Sequence, residues 1–232
     1  MNKRIIPNTI TSCNLLCGAV AVYLATKGVF VWAFVFVLAG AFFDFFDGLS
    51  ARLLKAPSPI GVEMDSLADN ITFGLAPAMM LFCYLLPLLG WWAAIALVMA
   101  ALAALRLAKF NVDDRQHDSF IGLATPANAI FWGGICCMPY AMIKYDWIAW
   151  VLLGLSLVSG WLMNSEIPMF SFKAFKKDKT TIIAFLAGSV VLIALCITKA
   201  LIAKHIEFAL FSGTACVLWY VALNILLYLK NK

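Results

Sequence analysis

Charge is scarce in this chain. Lys, Arg, Asp and Glu make up only 12% of the 232 residues, against 64% hydrophobic residues. With a mean hydropathy of +0.95, that balance excludes a soluble globule and describes a polytopic membrane protein. Histidine is nearly absent: His117 and His205 stand alone and far apart, which excludes a histidine metal site. The seven cysteines contain no C-x-x-C, are odd in number and lie mostly in apolar segments, so they read as small core residues rather than ligands or disulfide partners. No long polar linker, low-complexity tract or internal repeat divides the chain, and a single membrane domain over residues 1–232 is expected. The formal charge of +5 is scattered along the sequence, so it marks orientation in a membrane rather than a nucleic-acid surface.

Apolar runs long enough to cross a bilayer recur throughout. They predict an all-α protein with eight transmembrane helices, at about residues 10–26, 31–54, 62–88, 91–110, 124–143, 147–163, 181–200 and 206–229. Residues 1–9 form a basic lead expected to lie at the interface, read as uncleaved because Thr11, Asn14 and Gly18 interrupt any signal-like apolar core. With the amino terminus inside, thirteen Lys and Arg fall on the inner side and four (Lys27, Lys144, Lys199, Lys204) on the outer side. Both termini are therefore expected in the cytoplasm. Trp91, Trp92, Trp147 and Trp150 sit near predicted outer ends, as interfacial belts do. The lysine cluster at 173–179 is placed to meet anionic lipid head groups or only to set topology.

Against that background one stretch stands out. Between residues 44 and 69 the chain places Asp44, Asp47, Asp65 and Asp69, together with Arg52, where each charge is expensive. Asp44 and Asp47 are three apart and Asp65 and Asp69 four apart, so each pair occupies one face of its own helix. Between the pairs, Lys55-Ala-Pro-Ser-Pro-Ile-Gly61 has the composition of a turn. Two helices joined there can bring four carboxylates together. Their mutual repulsion in a low-dielectric site calls for cations, and an all-oxygen set selects a hard divalent ion such as Mg2+ or Mn2+. Gly48 and Ala51 continue the face of the first pair, leaving room for a bulky group, although close helix packing would use small residues in the same way.

The pattern D-x-x-D-G-x-x-A-R-x8-G-x-x-x-D-x-x-x-D, met at Asp44, Asp47, Gly48, Ala51, Arg52, Gly61, Asp65 and Asp69, resembles the signature of the CDP-alcohol phosphotransferases. Further stretches are similar to the phosphatidylserine synthases of that superfamily. They are Pro7, Asn8, Thr11, Asn14 and Gly18 in the first span, Thr72 to Ala78, Leu105 to Val112, Phe120 to Ala127, and Ser171 to Lys173. Ala124 and Asn128 depart from the usual pattern. Asn70 is neutral where relatives acting on glycerol-3-phosphate often carry lysine after the fourth aspartate.

The resemblance implies catalytic helices over residues 31–111, with 181–229 as two additional spans. It also implies transfer of a phosphatidyl group from CDP-diacylglycerol to L-serine, giving phosphatidylserine and CMP. Choline, inositol or glycerol-3-phosphate are alternative acceptors, and a cation-binding membrane carrier is the alternative outside enzymes. The implied ligands of two divalent cations are Asp44, Asp47 and Asp65, with Asp69 either completing the second metal's shell or serving as the base. The CDP-lipid is expected against Asn8, Thr11, Gly48, Ala51, Arg52 and Gly61, and the acceptor near Arg106 and Lys109. A homodimer in the inner membrane, with its site facing the cytoplasm, completes the expectation.

Overall fold

A backbone in hydrocarbon must satisfy its own hydrogen bonds, and the chain does so almost entirely with helices. The computed structural model describes residues 5–55, 58–113, 120–140, 145–169 and 179–230. In order these form α1 (Ile5–Thr26), α2 (Phe30–Leu53), α3 (Pro59–Asp69), a π-helical turn (Asn70–Leu75), α4 (Ala76–Leu89), a 3-10 segment (Gly90–Leu97) and α5 (Val98–Val112). There follow β1 (Phe120–Ile121), α6 (Thr125–Cys136), α7 (Asp146–Met163), β2 (Pro168–Met169), α8 (Lys179–Ala203) and α9 (Glu207–Lys230).

Six helical stretches among the described residues are long and apolar enough to cross a membrane. One of them, Pro59–Val112, spans 54 residues and covers both runs expected at 62–88 and 91–110. It folds back on itself at Gly90, whose φ of +54° is open to glycine at little cost. Beyond that reversal Asn111 Nδ2 donates to Ser66 Oγ at 2.8 Å. A Cβ on Gly74 would lie 3.0 Å from the Ala103 side chain, so the two halves run alongside each other.

Two expectations about boundaries are corrected. The first helix is described from Ile5, ahead of the run counted from residue 10, and Pro7 lies near that end. The described helix in the 124–143 run ends at Cys136, just before Met138-Pro139, because a residue preceding proline is pushed out of the helical region. Its 12 residues make a helix of about 18 Å, shorter than the ~30 Å hydrocarbon core. Arg115, His117, the family-like stretch at 171–173 and positions 173–178 of the lysine cluster at 173–179 lie outside the described residues.

The packing around α1 positions everything that follows. α1 lies along α2 for much of its length and also contacts α3, the π-helical turn and α4, whereas α2 and α3 make few contacts with each other. Small residues allow the close approach. A Cβ on Gly18 would fall 2.8 Å from Thr72 Cα, and one on Gly40 would fall 2.9 Å from Asn14 Oδ1. The main core is built from Phe34, Phe73, Met80, Leu81, Tyr84 and Trp132, all essentially inaccessible. Below α6 the short β1–β2 pair, with Phe120 opposite Met169, ties the loop before α6 to the end of α7. The final helices are not loose additions: α9 packs on α6, where the Thr214 hydroxyl donates to the Phe131 carbonyl at 2.8 Å.

Candidate active site

The turn between α2 and α3 is shaped by local chemistry. α2 ends with Lys55 in the left-handed region at φ +50°, and its last turn is closed by Leu54 N–H donating to Ser50 O at 2.9 Å. α3 starts with Ser58 in an extended conformation as its N-cap, accepting from Gly61 N–H at 3.0 Å, and with Pro59 at the first helical position. These caps fix where each helix begins and ends. They therefore fix which face carries Asp44 and Asp47 and which carries Asp65 and Asp69.

Across that turn Asp44, Asp47 and Asp65 converge: one carboxylate oxygen from each lies within 4.8 Å of the others. Asp47 is 5% exposed, and Asp44 and Asp65 are half-buried. Asp69 stands beside the trio, close enough to interact electrostatically with all three. The expectation that two helices of a hairpin bring four acids together is met for Asp44, Asp47 and Asp65, with Asp69 outside the trio, and the hairpin does not act alone. α1 supplies a third wall, and its side chains hold two of the four carboxylates. Thr11 Oγ1 lies 2.7 Å from Asp47 Oδ2 and 3.0 Å from the Pro7 carbonyl; its single proton favours the shorter contact to the carboxylate. Asn14 Nδ2 donates to Asp69 Oδ1 at 3.0 Å. Asp65 Oδ1 is buried with no hydrogen-bond partner among the described residues. An orphaned carboxylate oxygen next to two more carboxylates is a set of hard oxygen donors, and it fits a divalent cation better than any neutral hydrogen-bonding neighbour.

A cavity of about 170 Å³ opens directly onto these acids, lined by Pro7, Asn8, Thr11, Asp47, Gly48, Ala51, Ser58, Gly61, Val62 and Asp65. Five of the six residues expected against a CDP-lipid thus share one wall with the carboxylates. Gly48 resolves the choice between its two readings. A Cβ there would meet only the Arg52 Nη2 at 3.9 Å, so its missing side chain opens the cavity and does not serve helix packing. Gly18 and Gly40 do that work instead. Arg52, the sixth, is exposed and donates its Nε–H to the Gly48 carbonyl at 2.9 Å. Among the described residues it forms no ion pair with the aspartates.

Arg106 and Lys109 lie on α5 and line a second cavity, of about 450 Å³, with Val112, Asp113, Ile121, Met163, Asn164, Ser165 and Glu166. Arg106 is 7% exposed, its Nε has no partner among the described residues, and its guanidinium lies 5.9 Å from the Phe110 ring centroid. The floor of this cavity is set by Asn164, whose amide donates to Leu102 O at 2.8 Å and Gly160 O at 3.2 Å.

Two site features were not anticipated from the residues. The first is the grip of Asn14 on Asp69, for which the only signal was the family-like spacing of Asn14 and Gly18. The second is the π-helical turn that starts immediately after Asp69 and brings the Thr72 hydroxyl 3.0 Å from the Asn14 carbonyl. Such turns interrupt the α-helical register and recur at functional sites.

Comparison with known proteins agrees with this geometry. A family model described as CDP-alcohol phosphatidyltransferase matches residues 4–172. The chain is 40% identical over 124 residues to the CDP-diacylglycerol–serine O-phosphatidyltransferase of Bacillus subtilis, covering 52% of this chain and 69% of that one. It is 30% identical over 216 residues to the Mycobacterium bovis enzyme of the same name, covering 89% and 73%. It is also 30% identical over 237 residues to that of Helicobacter pylori strain J99, covering 97% and 95%. With its acidic signature, the cavity beside it and most of its length accounted for, the chain belongs to the CDP-alcohol phosphatidyltransferase family.

Proposed function

We propose that the protein transfers the phosphatidyl group of CDP-diacylglycerol to L-serine, forming phosphatidylserine and CMP in a divalent-metal-dependent reaction. The observation that carries this reading is the meeting of Asp44, Asp47 and Asp65 within 4.8 Å beside a cavity floored by Gly48. Serine as the acceptor is supported by the names of relatives that match across most of the chain, and by the neutral Asn70 after the fourth aspartate.

In this reading Asp44, Asp47 and Asp65 would hold two divalent cations, Mg2+ or Mn2+, which when bound neutralise the diphosphate and favour departure of the CMP oxygen. Thr11 orients Asp47 from α1. Gly48, Ala51 and Gly61 leave the space a cytidine needs, with Asn8 and Thr11 as its polar neighbours. Asp69 takes the proton of the serine hydroxyl while that oxygen bonds to the lipid-linked phosphorus and the bond from phosphorus to the CMP oxygen breaks. Arg106, buried and cationic, receives the serine carboxylate, and Lys109 marks the cavity's outer edge. In the same reading the site faces the cytoplasm from the inner membrane, an orientation supported by the excess of basic residues assigned to that side. There it meets a lipid from the bilayer and an amino acid from solution. Eight crossings and assembly as a homodimer belong to the same reading.

Two variants test the parts separately. Gly48→Val puts bulk into the cavity from a Cβ that meets no other helix, so CDP-diacylglycerol KM is expected to rise ~10-fold or more while the thermal midpoint of the purified protein holds. A KM equal to that of the parent enzyme would remove the nucleotide from this cavity. Arg106→Ala is expected to raise serine KM by roughly 10-fold to 100-fold, the loss of a charged hydrogen-bond partner, with little change in CDP-diacylglycerol KM. Unchanged serine kinetics would move the acceptor elsewhere.

A further inference from the structure

We propose that Asn14 is a positioning residue for Asp69: its amide holds one carboxylate oxygen from across the α1 interface, so that the other is presented to the acceptor hydroxyl. This rests on the reading of Asp69 as the proton acceptor. Asn14 is fully buried, and its Nδ2 donates to Asp69 Oδ1 at 3.0 Å. Its seat leaves little freedom. The Thr72 hydroxyl donates to the Asn14 carbonyl at 3.0 Å, and a Cβ on Gly40 would come within 2.9 Å of Asn14 Oδ1. Thr72 is itself wedged against Gly18 and Gly40, and it is delivered there by the π-helical turn that begins one residue after Asp69.

The consequence is a division of labour among the four acids. Asp44, Asp47 and Asp65 pool their oxygens in one small volume, as ligands of a shared cation do. Asp69 is gripped by a neutral amide donor, which suits an ionised carboxylate whose free oxygen must keep one direction. Direction matters more for a proton acceptor than for one member of a flexible ligand shell, because transfer requires a hydrogen bond of defined length and line.

The test uses the purified full-length protein in lipid nanodiscs. Asn14→Leu keeps the branched outline at the cost of some added bulk and removes the donor. The expected result is a fall of about 10-fold to 100-fold in kcat for CMP release with serine, the loss of one hydrogen bond to a charged group. Both KM values and the Mn2+ affinity read by calorimetry should stay within about threefold of the parent, because binding is not what Asn14 supplies. Asn14→Ser breaks the same bond without adding bulk and is read if the leucine variant is not monodisperse. In the Asp69→Asn background, Asn14→Leu is expected to slow turnover no further, as for two residues acting as one unit. A kcat within about twofold of the parent overturns the proposal, as does a loss of Mn2+ affinity or CDP-diacylglycerol KM in step with kcat, or full additivity in the double variant. A parent protein that uses another alcohol in place of serine overturns the acceptor assignment alone, and the same kcat comparison with that alcohol decides the role of Asn14. A parent protein that releases no CMP with any acceptor overturns both.

Discussion

Asp65→Ala is expected to reduce CMP release from CDP-diacylglycerol by about 10³-fold or more, roughly 4 kcal/mol of transition-state stabilisation. The size of the effect follows from the position of this side chain. Asp65 is the member of the converging trio that comes from α3, so its removal leaves only the two carboxylates of α2 within reach of a shared cation. Its Oδ1 is buried with no hydrogen-bond partner among the described residues, so it contributes little to the fold that a neighbour would lose. The variant should therefore remain folded while Mn2+ affinity, read by calorimetry, falls together with activity. Parent-like Mn2+ affinity in a folded Asp65→Ala protein would separate this acid from any metal.

Asp69→Asn is expected to behave differently. It preserves shape and can still meet Asn14, but it offers no basic oxygen to the acceptor hydroxyl. Turnover should fall by ~10² to 10⁴-fold, the usual contribution of a positioned general base, while CDP-diacylglycerol binding persists. Asp69 lies beside the trio rather than within it, so its loss should cost less metal affinity than the loss of Asp65. Near-normal serine incorporation by Asp69→Asn would refute the base role. Equal losses of metal and turnover in the two variants would make Asp69 a ligand first.

The contrast between these acids shows how far the sequence could be read. The placement of Asp44 with Asp47, and of Asp65 with Asp69, depends only on helical periodicity, and the Pro-Ser-Pro turn depends only on local stereochemistry. The structure keeps Asp44, Asp47 and Asp65 together and starts α3 with Ser58 as its cap and Pro59 next, while Ala56 and Pro57 lie outside the described residues. Gly48 was ambiguous because a missing side chain signals either space or contact, and only the surroundings decide. Its nearest neighbour, the tip of Arg52, decides for space.

What could not be read was set by packing between distant segments. Thr11 reaches Asp47 over 36 positions and Asn14 reaches Asp69 over 55. Both contacts require α1 to settle against α2 in the one register that Gly18, Gly40 and Thr72 permit. No periodicity within α1 announces that register. The π-helical turn at Asn70–Leu75 was invisible for a related reason: its residues carry no local marker, and the altered register is stabilised by the seat Thr72 finds on Asn14. The early end of α6 was legible in principle from Pro139, but apolar length alone outweighed it in counting spans.

Placement of α9 against α6 adds a consequence for residues beyond the family-matched part of the chain, which ends at 172. The Thr214 hydroxyl on the Phe131 carbonyl joins the last helix to the element that also borders the π-helical turn. α9 is thereby part of the scaffold around the site, and α8 is attached to it through α9.

The most direct measurement is product formation by the purified protein given CDP-diacylglycerol, one acceptor at a time, and either Mn2+, Mg2+ or a chelator. The expected result is CMP and phosphatidylserine in equal amounts with serine and a divalent ion, and neither product once the ion is removed. Undiminished CMP release in the presence of the chelator would contradict a site built on Asp44, Asp47, Asp65 and Asp69, and turnover with glycerol-3-phosphate in place of serine would contradict the acceptor.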